Sequence, residues 1–99
     1  MTIKLLPEAQ NDLNEALEYY FNIDIKLKDK FINDLDITFD KILKFPSLYP
    51  YETKTSQKVL MQKFPYIILY EKYKDIIMIL AIFHTSRDNN ILNNRYNKS

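Results

Sequence analysis

His84 and Arg87, three residues apart, are the pair in this chain best suited to chemistry. An unperturbed imidazole titrates at about pH 6.5, so it can give or take a proton near neutrality, and a guanidinium can steady negative charge growing on a phosphate. Lys58 and Lys63 place two ammonium groups around a short apolar segment, where both could face an anionic ligand. Tyr66 and Tyr70 fall on one face at period two, a spacing that suits stacking on bases. Each feature also has a purely structural reading. His84 could cap a sheet edge while Arg87 pairs with Asp88 or an acid of the first helix. Lysines at strand ends are ordinary edge-protecting residues, and half-buried tyrosines on a sheet usually pack. With one histidine and no cysteine, no metal-ligand spacing of a recognised type occurs, and no serine carries a nucleophile motif.

The elements that must position these groups follow from apolar periodicity. Thr2–Leu6 reads as a short first strand, and Pro7 suits the first turn of a helix, where its missing N–H costs nothing. Ala9, Leu13, Ala16, Leu17 and Tyr20 recur at helical spacing, with Asp12, Glu15 and Glu18 expected off that stripe. Asn22-Ile23-Asp24 breaks the pattern, and Asn22 or Asp24 is the cap candidate. A second helix over Ile25–Lys44 carries the stripe Leu27, Phe31, Leu35, Phe39 and Ile42, and Phe45-Pro46 ends it. Two such helices with a short connection make an antiparallel hairpin. A loop over Ser47–Ser56 leads to three strands, Lys58–Gln62, Tyr66–Glu71 and Ile76–His84, the last two joined by a turn at Lys72–Asp75. Ile76–Phe83 is apolar at both odd and even positions, so the last strand should be central and covered on both faces. Two helices cover only one face. The other face calls for a C-terminal segment or a partner chain, and Asp88–Arg95 is a weak candidate for a short final helix.

Composition narrows the function classes. The 99 residues suit one domain over the whole chain. Absent cysteine fits a reducing cytosol, and absent glycine excludes glycine-rich phosphate loops and dinucleotide fingerprints. The start of the chain resembles neither a signal peptide nor an anchor, and the eight-residue run Ile76–Phe83 is too short for a helical membrane span. Charge is uneven. Residues 1–50 hold six lysines against nine acids, net −3, while residues 51–99 hold eight lysines and arginines against four acids, net +4. A basic C-terminal half favours an anionic target, either nucleic acid or an acidic protein surface.

The joint order of these pieces resembles the RelE/ParE superfamily, the toxins of bacterial type II toxin–antitoxin modules. The positions that carry the resemblance are Asp12-Leu13 and Tyr19-Tyr20 in the first helix, Phe45-Pro46 after the hairpin, and Phe64-Pro65-Tyr66 through Tyr70. His84 with Arg87, and then Arg95, complete it. It implies an α+β fold: a strand, a helical hairpin packed on one face, then a three-stranded antiparallel meander. It also implies a cytoplasmic protein without cofactor or metal, neutralised by a co-encoded antitoxin that wraps the toxin. Two activities are then open. In the ParE-like branch, which the long hairpin and the His-x-x-Arg pattern resemble more, the toxin binds DNA gyrase through residues such as Lys58, Lys63, His84, Arg87 and Arg95, without catalysis. In the ribonuclease branch it would cut ribosome-bound mRNA, with Lys58 and Arg87 on the phosphate and His84 or Tyr96 moving protons. A degenerate toxin that only binds its antitoxin is a third reading. The chain departs from its relatives at Gln57-Lys58, where they carry arginines, and at Asn89, where they carry proline.

Overall fold

A computed structural model describes residues 1–86 of the chain. The expected final helix over Asp88–Arg95 lies outside the described residues. In chain order the elements are β1 (Thr2–Leu5), α1 (Pro7–Ile23), α2 (Ile25–Lys44), β2 (Gln57–Leu60), β3 (Tyr66–Tyr73) and β4 (Ile76–His84). The strands form one mixed sheet in the order β1-β4-β3-β2. The meander β2-β3-β4 is antiparallel, and β1 returns to pair in parallel with β4 from Thr2↔Ile76 to Leu5↔Ile79. The last strand is therefore central, as its two-sided apolar pattern requires.

Local chemistry explains most boundaries. Pro7 opens α1, and Asp24 closes the hairpin by accepting the Lys26 N–H through its side chain at 2.9 Å. Of the two cap candidates, Asp24 is the one used. β2 runs Gln57–Leu60 rather than Lys58–Gln62, because Gln62, Lys63 and Phe64 all direct their N–H groups at the Asp34 carboxylate instead of a ladder. β3 runs on to Tyr73, which leaves a two-residue turn, Lys74-Asp75. Lys74 has φ of 54° there, in the left-handed region, because the chain has no glycine to use.

The core lies between the sheet and the two helices. Ala9, Ala16 and Tyr20 of α1 and Phe31, Leu35 and Ile42 of α2 pack against Val59, Tyr66, Ile68, Tyr70, Ile77, Ile79 and Ile82. Tyr66 and Tyr70 are buried here, so neither is a stacking platform for bases. Side chains alternate along β4 until Leu80. There the pairing jumps from Tyr70↔Ile79 to Leu69↔Ala81, leaving Leu80 as the extra residue of a bulge. The bulge shifts the parity, so Ile77, Ile79 and then Ile82 face the helices. Leu80, Ala81 and Phe83 join Leu69 in a second cluster to which neither helix contributes. All four are buried, as the expectation of cover on both faces requires. At the margin of that face on β2, Leu60 is 60% exposed.

Candidate functional site

Two helix carboxylates hold the end of the sheet where the candidate residues lie. Asp12, expected off the core stripe, is buried. Its Oδ2 accepts the Ile82 N–H at 3.1 Å, just past the last β1 contact, Leu6 N–H to Ile79 C=O. The correction has a geometric cause: three residues after Ala9 a side chain returns to the same helix face. Asp34 is the second. It is buried between Phe31, Leu35 and Thr38 and accepts the N–H groups of Gln62, Lys63 and Phe64 at 3.3, 2.8 and 3.0 Å. A carboxylate gathering three successive backbone donors is a strong, charge-assisted arrangement. It fixes the turn that carries Lys63 and Phe64. The sequence held a signal for it, since positions 31, 34, 35, 38 and 42 share one helical face.

Phe64 then enters an aromatic cluster. Its ring lies 4.9 Å from Tyr20 and 5.2 Å from Phe31, edge to face, and Tyr66 meets Phe31 at 5.1 Å. His84 pairs with Tyr66 across the ladder and stands edge-on to its ring at 5.3 Å. The Ser86 N–H donates to His84 Nδ1 at 3.1 Å, which makes Nδ1 an acceptor and leaves the neutral ring's proton on Nε2.

Lys58 is placed differently. It pairs with Leu69 and so projects on the face opposite the helices, whereas His84 shares the helix face with Tyr66. Its Nζ lies 2.7 Å from Glu52 Oε2, a contact that sequence reading gave no hint of. Lys63 is exposed in the turn after β2, beside a depression of about 330 Å³ lined by Leu60, Phe64, Pro65 and Thr85 among others. Arg87, Arg95 and Tyr96 lie outside the described residues. Lys58 and His84 are thus not brought together. Among the described residues no three metal-ligating side chains cluster either.

The β2 margin is the other notable feature. Met61 N–H donates to Tyr66 C=O and Lys58 N–H to Pro50 C=O, so even-numbered residues of β2 direct their backbone away from β3. Leu60 therefore presents N–H and C=O outward. Next to it is a groove of about 500 Å³ lined by Tyr49, Pro50, Lys58, Val59, Leu60 and Ile67. Hydrogen bonds tie the loop that forms one groove wall to the sheet. Gln57, buried, donates through Nε2 to the carbonyls of Pro46 and Tyr49, both at 2.9 Å, and the Tyr70 hydroxyl donates to Pro46 C=O at 2.7 Å. Burial lifts the Tyr70 phenol to about 12, with the nearby phenols of Tyr49 and Tyr51 adding to the rise.

Comparisons with known proteins agree with this architecture. Residues 3–89 match the family model described as "ParE toxin of type II toxin-antitoxin system, parDE". A chain of the solved structure "Chromosomal ParDE TA system from P. aeruginosa" superposes with a TM-score of 0.66 at 16% identity. The match covers 85% of this chain and 95% of that one, a likeness of fold. No curated protein sequence matches significantly. No helix among the described residues is long and apolar enough to cross a membrane.

Proposed function

Because the chain belongs to the ParE toxin family of type II toxin–antitoxin systems, we propose that it inhibits growth by binding DNA gyrase, and that a co-encoded antitoxin neutralises it. One observation favours a binder over a ribonuclease: Lys58 and His84 lie on opposite faces of the sheet, with the Lys58 ammonium held by Glu52. Catalysis needs a proton-transfer group and a charge-stabilising group within about 3–3.5 Å of one reacting centre. Binding has no such demand, because contacts spread over a surface each contribute to affinity. Lys58, Lys63 and His84, with Arg87 and Arg95, serve in this reading as contacts on the target.

The antitoxin segment docks at the β2 margin, where Leu60 offers an open strand edge and the adjoining apolar groove takes side chains. Strand addition supplies main-chain hydrogen bonds, and pockets at alternate positions supply selectivity. Lys63 just past the strand favours an acidic segment.

Induction of the parent and of His84→Gln in cells, with parallel assays of gyrase-dependent DNA cleavage and of mRNA integrity, separates the mechanisms. Glutamine keeps a polar contact of similar size but cannot shuttle a proton. The variant should stay toxic, with cleaved DNA trapped on gyrase and intact mRNA in both strains. Ribosome-dependent mRNA cleavage by the parent, lost by 10²-fold or more in His84→Gln, would make this chain an enzyme instead.

A further inference from the structure

We propose that the antitoxin segment pairs with β2 at a single residue, Leu60, that it runs antiparallel to β2, and that it sets an apolar residue there with an acid a few positions earlier. This register rests on docking at the β2 margin, as proposed above, and is imposed by a stretch of the preceding loop that fills the rest of the edge.

Residues 50–52 already lie beside β2 as a strand would. Tyr51 bridges Gln57 in antiparallel fashion, the Lys58 N–H donates to Pro50 C=O at 3.0 Å, and the Glu52 N–H donates to Ser56 C=O at 2.8 Å. Side chains fasten the stretch: Glu52 holds the Lys58 ammonium at 2.7 Å, and the Thr55 hydroxyl donates to Glu71 Oε2 at 2.8 Å. Upstream, the Leu48 N–H turns back to Phe45 C=O at 3.1 Å, so the loop leaves the edge before it reaches Leu60. Beyond Leu60, the Gln62 N–H is already given to Asp34. Of the two β2 residues whose backbone faces away from β3, Lys58 has spent its N–H on Pro50, and Leu60 alone has both groups open.

Spacing then decides direction. Residues along a strand lie about 3.4 Å apart, so one set opposite Val59 would sit as close to Pro50 as a covalently bonded neighbour does. One set opposite Leu60 stands about 7 Å from Pro50, which leaves room. In a parallel pairing the Leu60 N–H must reach the carbonyl of the residue opposite Val59, the excluded place. In an antiparallel pairing one residue opposite Leu60 accepts from its N–H and donates to its C=O. Only the antiparallel direction gives Leu60 both bonds.

The order of side chains follows. The paired residue projects on the face of Leu60 and Ile67, beside the groove, where Glu52 already holds the Lys58 ammonium. Nothing there rewards a charge, so the place suits a branched aliphatic or aromatic residue. An antiparallel chain reaches Leu60 from the side of Lys63, three positions further along β2 and its turn. An acid about two to three positions before the paired residue therefore meets that ammonium. At Pro50 the segment must turn away from the edge.

Titration calorimetry of the full toxin chain with overlapping synthetic peptides of the co-encoded antitoxin finds the binding segment. A scan of that peptide with single N-methyl residues then reads its register, since each removes one main-chain donor. One position, carrying an apolar side chain, should lose about tenfold or more in affinity, and the positions two before and two after it less than about threefold. Lys63→Glu should weaken the parent peptide by about threefold to tenfold, and lysine in place of the preceding acid should restore binding. Two or more sensitive positions at a spacing of two overturn the single-residue register. An acid that answers Lys63 from after the paired residue overturns the direction. Either result leaves docking at the margin standing. A peptide that binds Leu60→Asp as tightly as the parent toxin defeats docking there, and the register with it.

Discussion

At the scale of single residues, polar side chains rather than apolar ones set the register of this molecule. Asp12 and Asp34 reach from the two helices to backbone donors 70 and 28–30 positions away, and each ties a helix to one specific strand end or turn. Apolar packing alone would tolerate sliding; a buried carboxylate with named N–H partners does not. Tyr70 plays the same part from the sheet side. Its phenol ionises at about 12 in the folded chain and near 10 when unfolded. The sign is that of an acid whose folded value is raised. The contribution is complete below pH 10 and is lost as pH climbs toward 12, at about 1.4 kcal/mol per pH step. Urea unfolding between pH 9 and 12 should show this slope in the parent and lose it in Tyr70→Phe. That variant should also be about 1 kcal/mol less stable at pH 7, for its lost hydrogen bond to Pro46. An equal slope in both proteins would assign the alkaline loss to other groups.

At the scale of elements, the turn between β3 and β4 carries a defined penalty. Lys74 sits at φ 54°, and a side chain with a Cβ in that region costs roughly 1–2 kcal/mol. Its ammonium lies 5.6 Å from the Tyr73 ring centroid, a contact worth about 0.5–1 kcal/mol at an exposed site. The strain is the larger quantity. Lys74→Asn, which tolerates the left-handed region, should therefore raise the unfolding free energy by about 0.5–1 kcal/mol, seen as a higher urea midpoint with an unchanged slope. A lower midpoint would show that the cation–ring contact prevails. Elements of this kind were legible in the sequence wherever one periodicity ruled. α2 over Ile25–Lys44 and β4 over Ile76–His84 follow their patterns to the residue, and β4's central place follows from its two-sided apolar run. What failed was local and polar. The ends of β2 and the burial of Asp12 depend on partners 28 to 70 positions distant, and no window along the chain contains both sides of such a bond. The candidate site was legible as a list of residues but not as an arrangement. A bulge at Leu80, which no pattern in Ile-Met-Ile-Leu-Ala-Ile marks, decides which side chains of β4 turn toward the helices.

For the molecule as a whole, the acids concentrate in the half that forms the helices, nine against six lysines in residues 1–50, while residues 51–86, which form the sheet meander, hold five lysines against three acids. An acidic antitoxin segment at the β2 margin would meet the favourable half, and its binding adds stability in proportion to RT ln(1 + [L]/Kd). At a hundredfold excess over Kd that is about 2.7 kcal/mol, or roughly 10–20 °C in melting temperature for a domain of this size. The toxin should gain that increment on mixing with the co-encoded neighbour's C-terminal peptide, and Leu60→Asp should lose it while melting alone as the parent does. Identical melting with and without the peptide would dismiss this margin as the docking site. Another property of the whole comes from the pairing of β1. Among the described residues its only ladder partner is β4, the last strand described, and the Asp12 bond to Ile82 closes the same circuit. Synthesis delivers the chain from its N-terminus, yet the sheet has no place for its first strand until residues 76–79 have emerged. Any nascent fragment that stops before Ile76 carries β1 unpaired and Asp12 without the Ile82 donor. The order of translation and the order of assembly are therefore opposed: β1 is made first and is paired only after β4 has been made.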